Sequence, residues 1–137
     1  MAEPMQGKKI LVVDDDPDVL TAIKMALEDR GATVLSAADG VAAVDVALQE
    51  QPDLVVLDMM LPKRGGFLVL ERIRKGKPKG AAPFVIMITG NLGTRHKTYA
   101  ESLGVSDYIN KPFRMERLMT SIEKSLTPPE PAAGAPA

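Results

Sequence analysis

The sequence contains no cysteine and no tryptophan, and its only histidine is His96. The absence of cysteine excludes disulfide bonds, thiolate nucleophiles and cysteine-based zinc sites. One histidine cannot form the histidine cluster that many transition-metal sites use. Carboxylates, hydroxyls, amines and backbone groups are therefore what this chain has available for chemistry.

Neither sign of charge is in excess, since 17 lysine and arginine residues stand against 18 aspartate and glutamate residues. This balance argues against a nucleic-acid-binding stripe or a polybasic membrane patch. No apolar run approaches the ~20 residues that span a bilayer, and the first residues do not resemble a signal peptide. We therefore expect a cytoplasmic protein whose chain contacts neither nucleic acid nor membrane directly.

Short apolar runs alternate with apolar residues at helical spacing along most of the chain. The runs predict five strands at residues 10–13, 33–36, 54–57, 84–88 and 106–109. The patterns between them predict five helices, which contain Leu20 and Leu27, Val41 and Leu48, Phe67 and Ile73, Tyr99 and Ala100, and Met115 and Ile122. This alternation predicts an α/β fold in which helices cover both faces of a parallel sheet.

The length of 137 residues suggests a single domain. The periodic patterns place that domain at residues 8–126. Residues 127–137 are rich in proline and alanine and have no apolar periodicity, so we expect a disordered tail or the start of a linker.

Polar side chains stand at or just beyond the ends of four predicted strands: Asp14, Asp15 and Asp16 after the first, Asp58 after the third, Thr89 after the fourth and Lys111 after the fifth. In an open parallel sheet, ligands bind at the carboxyl ends of the strands. Carboxylates packed together must protonate or share a cation, and Mg²⁺ prefers such oxygen ligands. A carboxylate can also be a nucleophile in phosphoryl transfer, which needs neighbouring groups that neutralise charge.

Asp16 precedes Pro17 and is better explained as the N-cap of the first helix than as part of this polar cluster.

Four segments together resemble the receiver domain of bacterial two-component response regulators. They read Ile-Leu-Val-Val-Asp-Asp-Asp-Pro at 10–17, Val-Val-Leu-Asp-Met-Met-Leu-Pro at 55–62, Val-Ile-Met-Ile-Thr-Gly at 85–90 and Tyr-Ile-Asn-Lys-Pro-Phe at 108–113. They follow the family's order and spacing. The resemblance implies a flavodoxin-like, doubly wound sheet of five parallel strands in the order 2-1-3-4-5, with five helices.

The resemblance also implies a role for each residue that matches the motifs. Asp58 corresponds to the phosphoacceptor. Asp15 corresponds to a direct ligand of Mg²⁺ (or Mn²⁺), and Asp14 to a residue that acts through water or in the outer shell. Asp58 itself and the backbone carbonyl of Met60 complete the implied metal site.

Three further residues match positions that respond to the phosphoryl group in this family. Thr89 corresponds to the hydroxyl that moves toward it, and Lys111 to the amine that pairs with one of its oxygens. Lys111 has an alternative interpretation as a counter-ion without a phosphate role. Tyr108 corresponds to the aromatic residue whose rotamer follows Thr89, so Thr89 and Tyr108 would form a switch. The bond from Lys111 to Pro112 is usually cis in the family.

As a receiver domain, the chain would accept its phosphoryl group from a sensor histidine kinase or a phosphotransfer protein. It would act on a downstream protein target or on a fused effector, and would catalyse only its own phosphotransfer and dephosphorylation. The alternative is a pseudo-receiver, a binding module of the same fold that is never phosphorylated. An aspartate-based phosphohydrolase is disfavoured, because such enzymes of the haloacid dehalogenase type need an acid where Met60 stands.

Overall fold

The computed structural model describes residues 4–59, 65–78, 81–90 and 93–127, with residues 93–96 as backbone only. The strands are β1 (Lys9–Val13), β2 (Thr33–Ala37), β3 (Leu54–Asp58), β4 (Phe84–Thr89) and β5 (Asp107–Asn110). The helices are α1 (Pro17–Asp29), α2 (Gly40–Glu50), α3 (Gly66–Arg74), α4 (Gly93–Ser102) and α5 (Met115–Leu126). Every predicted strand is present, and its ends lie within one residue of the prediction.

The strands form one parallel sheet in the order β2-β1-β3-β4-β5, which confirms the predicted fold. The strand order reverses between β1 and β3, which are neighbours in the sheet but not in the chain. In this register Val13 pairs with Leu57, and Asp58 pairs with Ile88. The residues that follow β1 and β3 therefore emerge side by side at the carboxyl end of the sheet, where such folds bind ligands.

The central strands are buried on both faces, which explains why their sequences are continuous apolar runs. Leu11 and Val13 pack in a cluster with residues of α2, α3 and α4. Ile10 and Val12 face the opposite side and pack with residues of α1 and α5. Because apolar side chains fill both faces of the sheet, the polar side chains lie at the ends of the strands.

Helix α2 packs only in part as its predicted apolar stripe of Val41, Val44, Ala47 and Leu48. Val44 and Ala47 are buried as predicted, but Val41 and Leu48 are 42% and 48% exposed, so placing these two in the buried stripe was wrong. The buried face also carries Ala43. Small alanine side chains allow this helix to lie close to the sheet, which turns the larger residues at its edges toward solvent.

Helix α5 ends at Leu126, the last residue of the predicted domain, and residues 128–137 of the predicted tail lie outside the described residues. Among the described helices, none combines the length and the apolar character needed to cross a membrane.

Candidate functional site

Two carboxylates that follow β1 have different roles: Asp14 is buried, and Asp16 caps helix α1. Asp14 is only 1% exposed, and its Oδ1 accepts a hydrogen bond of 2.9 Å from the backbone N–H of Asp16. The Asp16 side chain accepts hydrogen bonds from the N–H groups of Asp18 (2.9 Å) and Val19 (3.4 Å) at the start of α1. The predicted N-cap role of Asp16 is thereby confirmed. Asp14 remains directed toward the end of the sheet.

The end of β3 brings Asp58 to the same place. Its side chain is almost fully buried, with 3% of the residue exposed. Asp14, Asp15 and Asp58 each present a carboxylate oxygen, and these oxygens all lie within 4.8 Å of one another. Three converging oxygen ligands are a donor set that suits a hard divalent cation such as Mg²⁺. Met60, whose carbonyl the resemblance adds to this set, lies outside the described residues.

Lys111 supplies the cation that the acidic cluster faces. Its Nζ lies 3.1 Å from Oδ2 of Asp58 and 3.7 Å from Oδ2 of Asp14. The peptide bond from Lys111 to Pro112 is cis, as the resemblance implies. Among the described residues, one ammonium pairs with two of the three clustered carboxylates, so within this part of the chain the carboxylates outnumber the amine.

The pKa values reflect this crowding. Burial raises the pKa of Asp14, and the negative charge of Asp58 raises it further, against a hydrogen bond from Asp16 and the charge of Lys111. Burial lowers the pKa of Lys111, but its hydrogen bond to Asp58 and the charge of that carboxylate outweigh burial and leave it above its ordinary value. Both shifts indicate that the site favours an additional positive charge.

Thr89 ends β4 with a buried hydroxyl group. The residue is fully buried, and its Oγ1 has no hydrogen-bond partner within the part of the chain that the structure describes. Its carbonyl oxygen accepts a 2.6 Å hydrogen bond from the backbone N–H of Lys111, so the two residues are held together. A buried hydroxyl without a partner costs about 1–3 kcal/mol, and a ligand that accepts its hydrogen bond recovers that cost.

Tyr108 on β5 is half-buried and turned toward the residue that follows Asp58. Its hydroxyl lies 3.8 Å from the sulfur atom of Met59. Sequence reasoning did not single out Met59, although its position directly after the end of a central strand is the signal that could have identified it. The contact connects Tyr108 to the backbone of the acidic site.

The arrangement combines two buried carboxylates, one exposed carboxylate, one amine and one hydroxyl that has no partner among the described residues. A carboxylate in such surroundings can attack phosphorus, while the amine and the hydroxyl can interact with the oxygens of the transferred group. The structure brings Asp14, Asp15, Asp58 and Lys111 together, and it holds Thr89 beside Lys111 through a backbone hydrogen bond. The predicted switch residue Tyr108 instead lies against Met59.

Comparison with known proteins gives a consistent result. The model of the response regulator receiver domain family matches residues 10–123. The transcriptional regulator RpaA of Synechocystis sp. is 36% identical over 118 residues, which cover 86% of this chain and 48% of RpaA. PhoP of Bacillus subtilis, a regulator of alkaline phosphatase synthesis, is 37% identical over 127 residues, which cover 93% of this chain and 52% of PhoP. The chain thus spans about half the length of these relatives.

Solved structures with the same fold include a CheY-like response regulator receiver domain protein from Methanospirillum hungatei. It has a TM-score of 0.80 and 32% identity, and the match covers 87% of this chain and 93% of the other. The BeF₃-activated N-terminal receiver domain of RstA from Klebsiella pneumoniae has a TM-score of 0.77 and 29% identity, with 88% and 99% of the two chains covered.

Proposed function

The chain belongs to the receiver-domain family of response regulators, and from that premise we propose that Asp58 accepts a phosphoryl group from a phosphohistidine. The donor is a sensor histidine kinase or a phosphotransfer protein. The Asp58 carboxylate attacks phosphorus in line, the bond between phosphorus and the histidine nitrogen breaks, and that nitrogen takes up a proton. The product is an aspartyl phosphate at the carboxyl end of the sheet.

The observation that carries this proposal is the convergence of Asp14, Asp15 and Asp58 around one amine of Lys111. Structural ion pairs usually balance their charges, whereas within the described part of the chain this cluster has more carboxylates than amines and buries two of them. A cation bound by Asp14, Asp15, Asp58 and the carbonyl of Met60, either Mg²⁺ or Mn²⁺, would neutralise charge on the transferring oxygens.

Lys111 and Thr89 act on the phosphoryl group in this proposal. The Lys111 amine exchanges its present contact with Asp58 for a phosphoryl oxygen, so it is a counter-ion before the reaction and a ligand after it. The Thr89 hydroxyl, which has no partner within the described residues, donates to a second oxygen. Both contacts are charge-assisted hydrogen bonds, which are stronger than neutral ones.

The same contacts supply a switch. Movement of Thr89 toward the phosphoryl group changes the space beside Tyr108, whose hydroxyl now contacts Met59. A change in the Tyr108 rotamer alters the surface that carries β5 and its neighbouring helices, where a downstream protein or a fused effector would bind. RpaA is described as DNA-binding, and an output domain of that kind is one candidate effector for a longer form of this protein.

The test is to incubate the chain with Mg²⁺ and a small phosphodonor such as acetyl phosphate and to record its intact mass. We expect a phosphoryl adduct in the wild type and none in Asp58→Asn. Asp45→Asn is the matched control, because Asp45 is exposed on α2, and this variant should form the adduct normally. If the wild type forms no adduct and does not respond to beryllofluoride, the chain is a pseudo-receiver instead.

A further inference from the structure

Gly66, the first residue of α3, lies against the backbone that immediately follows the end of β3. Its N–H donates a 3.0 Å hydrogen bond to the carbonyl oxygen of Met59. A Cβ atom at this position would lie 2.6 Å from Cα of Met59, 2.9 Å from its carbonyl oxygen and 3.0 Å from the carbonyl oxygen of Asp58. Gly66 is not among the described glycines with positive φ, so close approach and not backbone conformation requires glycine here.

The two backbones that meet at Gly66 are each fixed by other contacts. The N–H of Met59 donates a 2.9 Å hydrogen bond to the carbonyl of Ile88 in β4, which holds the end of β3 in the sheet. On the other side, Val69 and Leu70 of α3 are fully buried in the core. Neither partner can move away without breaking contacts of its own.

We propose that Gly66 is a positioning residue for Asp58: by bringing the first turn of α3 against the Asp58–Met59 backbone, it sets the direction of the phosphoacceptor carboxylate. This inference rests on the proposed function of Asp58. The hydrogen bond fixes the carbonyl group of Met59, and the close packing of Gly66 against Cα of Met59 and the carbonyl oxygen of Asp58 holds the peptide group between Asp58 and Met59. The carboxylate is thereby held toward Asp14, Asp15 and the amine of Lys111.

The size of the effect follows from the contact distances. Ordinary contacts begin at 3.4 Å, so a Cβ at 2.6 Å forces the two backbones apart by about 0.8 Å. Reactive groups need to be held within about 0.5 Å of their productive positions, and a displacement of about 1 Å can slow a reaction about 100-fold. An added methyl group at Gly66 is therefore expected to weaken the site although it touches no ligand.

The experiment compares Gly66→Ala with Gly65→Ala. Gly65 has a φ of −63° and no atom within 4 Å of an added Cβ, so alanine fits there. Two quantities are measured: the affinity for Mg²⁺ by calorimetry, and the rate of adduct formation at saturating Mg²⁺ and acetyl phosphate. Gly66→Ala should react about tenfold more slowly or worse and bind Mg²⁺ several-fold more weakly, while Gly65→Ala stays within about twofold of the wild type.

Loss of stability alone must be separated from loss of positioning. Val69→Ala removes buried atoms from the same helix without adding one at Asp58 or Met59, so it should lower the melting temperature and leave both quantities unchanged below that temperature. The inference is overturned if Gly66→Ala has a lower melting temperature but an unchanged Mg²⁺ affinity and reaction rate. It is also overturned if Val69→Ala lowers the Mg²⁺ affinity and the reaction rate as much as Gly66→Ala does.

Two outcomes are handled by further measurements. If Gly66→Ala does not fold, an ester in place of the Gly66 amide removes the hydrogen bond to Met59 without adding a Cβ. Weaker Mg²⁺ binding by this ester supports the inference, and unchanged binding rejects it. If the wild type forms no adduct, the proposed function fails, and the Mg²⁺ affinities alone then decide whether Gly66 positions Asp58.

Discussion

Both ends of the sheet bury charged side chains, but these side chains interact with different partners at the two ends. At the carboxyl end, Asp14 and Asp58 are buried and share the amine of Lys111. At the amino end, Arg74 is only 6% exposed, and its guanidinium donates to the carbonyl oxygens of Pro78, Ala81 and Pro83. No described carboxylate forms an ion pair with Arg74.

The difference shows what each end is built to do. Neutral carbonyl groups accept hydrogen bonds from Arg74 without adding charge, so the amino end holds the loop before β4 in place without opposing charges. Each end has one buried polar atom without a partner among the described residues, Nε of Arg74 and Oγ1 of Thr89. The two ends differ in that the carboxyl end also opposes like charges. Burial lowers the pKa of Arg74 and raises that of Asp14, so both charges are desolvated, but only the carboxyl end is improved by a bound cation.

The largest expected change in stability comes from removing the hydrogen bonds of Arg74 at the amino end. Arg74→Met keeps an apolar side chain of similar length but removes the hydrogen bonds to the loop carbonyls. Since hydrogen bonds to charged groups contribute about 1.5–3 kcal/mol each, we expect the free energy of unfolding to fall by about 3 kcal/mol. Urea denaturation measures this loss, with and without Mg²⁺.

Arg72→Met is the matched control, because Arg72 is exposed on the same helix. Its effect should stay within about 0.5 kcal/mol, as for most surface substitutions. If both variants lose the same free energy of unfolding, the hydrogen bonds of Arg74 do not stabilise the loop before β4.

The second effect tests whether the two ends are independent. At a Mg²⁺ concentration of about 100 times Kd, single-site binding raises the free energy of unfolding by about 2.7 kcal/mol. The same increment is expected in Arg74→Met, because the altered end is remote from the carboxylates, and none is expected in Asp58→Asn. Increments that differ by more than about 0.5 kcal/mol between the wild type and Arg74→Met would reveal coupling through the sheet.

The third effect tests the excess of carboxylates directly. Asp14→Asn keeps an oxygen that can accept the hydrogen bond from Asp16 but removes a negative charge beside Asp58. Two unit charges about 4 Å apart repel by about 4 kcal/mol at an effective dielectric constant of about 20, and Lys111 offsets part of this. Without metal, we expect Asp14→Asn to be more stable than the wild type by about 1–2 kcal/mol.

Added Mg²⁺ should reverse this order, because Asp14→Asn loses part of the cation site. Chemical denaturation in a chelator and then in saturating Mg²⁺ gives both comparisons. A variant that is less stable than the wild type in the chelator would mean that Asp14 stabilises the fold and does not strain it.

The sequence predicts the two ends unequally, for a physical reason. Asp14, Asp58 and Thr89 each follow an apolar run, and parallel strands bring their carboxyl ends together, so the site could be predicted from the pattern. Arg74 lies before the basic loop at 75–80, which suggests a solvated connection. Its burial depends on where the carbonyl groups of Pro78, Ala81 and Pro83 lie around its guanidinium, and no periodicity encodes that.

The same limit applies to glycine. The pair Gly65 and Gly66 predicts a loop, but only the tertiary structure shows that Gly66 begins α3 and lies against Met59, while an added Cβ at Gly65 would meet no atom within 4 Å. Adjacent identical residues have identical local signals. What distinguishes them is contact with a segment that lies seven positions earlier in the chain and is brought close by folding.

The smallest expected effect concerns a carboxylate at the amino end, Asp107. Asp107 begins β5 and accepts hydrogen bonds from Arg117 (2.9 Å) and Ser121 (2.7 Å). Burial raises the pKa of Asp107, but the hydrogen bonds from Arg117, Ser121 and the backbone of Tyr108 outweigh it, so the pKa lies below its ordinary value. This shift is opposite to that of Asp14. Because the Arg117 side chain is half-exposed, we expect Asp107→Asn to cost about 1 kcal/mol or less near neutral pH.

The direction of the pH dependence distinguishes the two carboxylates. A carboxylate whose pKa is lowered by folding stabilises the native state above its unfolded value, about 3.9 for aspartate, and loses that contribution as the pH falls through the folded value. The deficit of Asp107→Asn should therefore shrink as the pH is lowered below about 4. The advantage of metal-free Asp14→Asn should also shrink on acidification, but from the opposite sign, because protonation removes a repulsion there and an attraction at Asp107. Parallel pH profiles for the two variants would mean that the ends of the sheet hold their carboxylates in the same way, and the contrast between them would be lost.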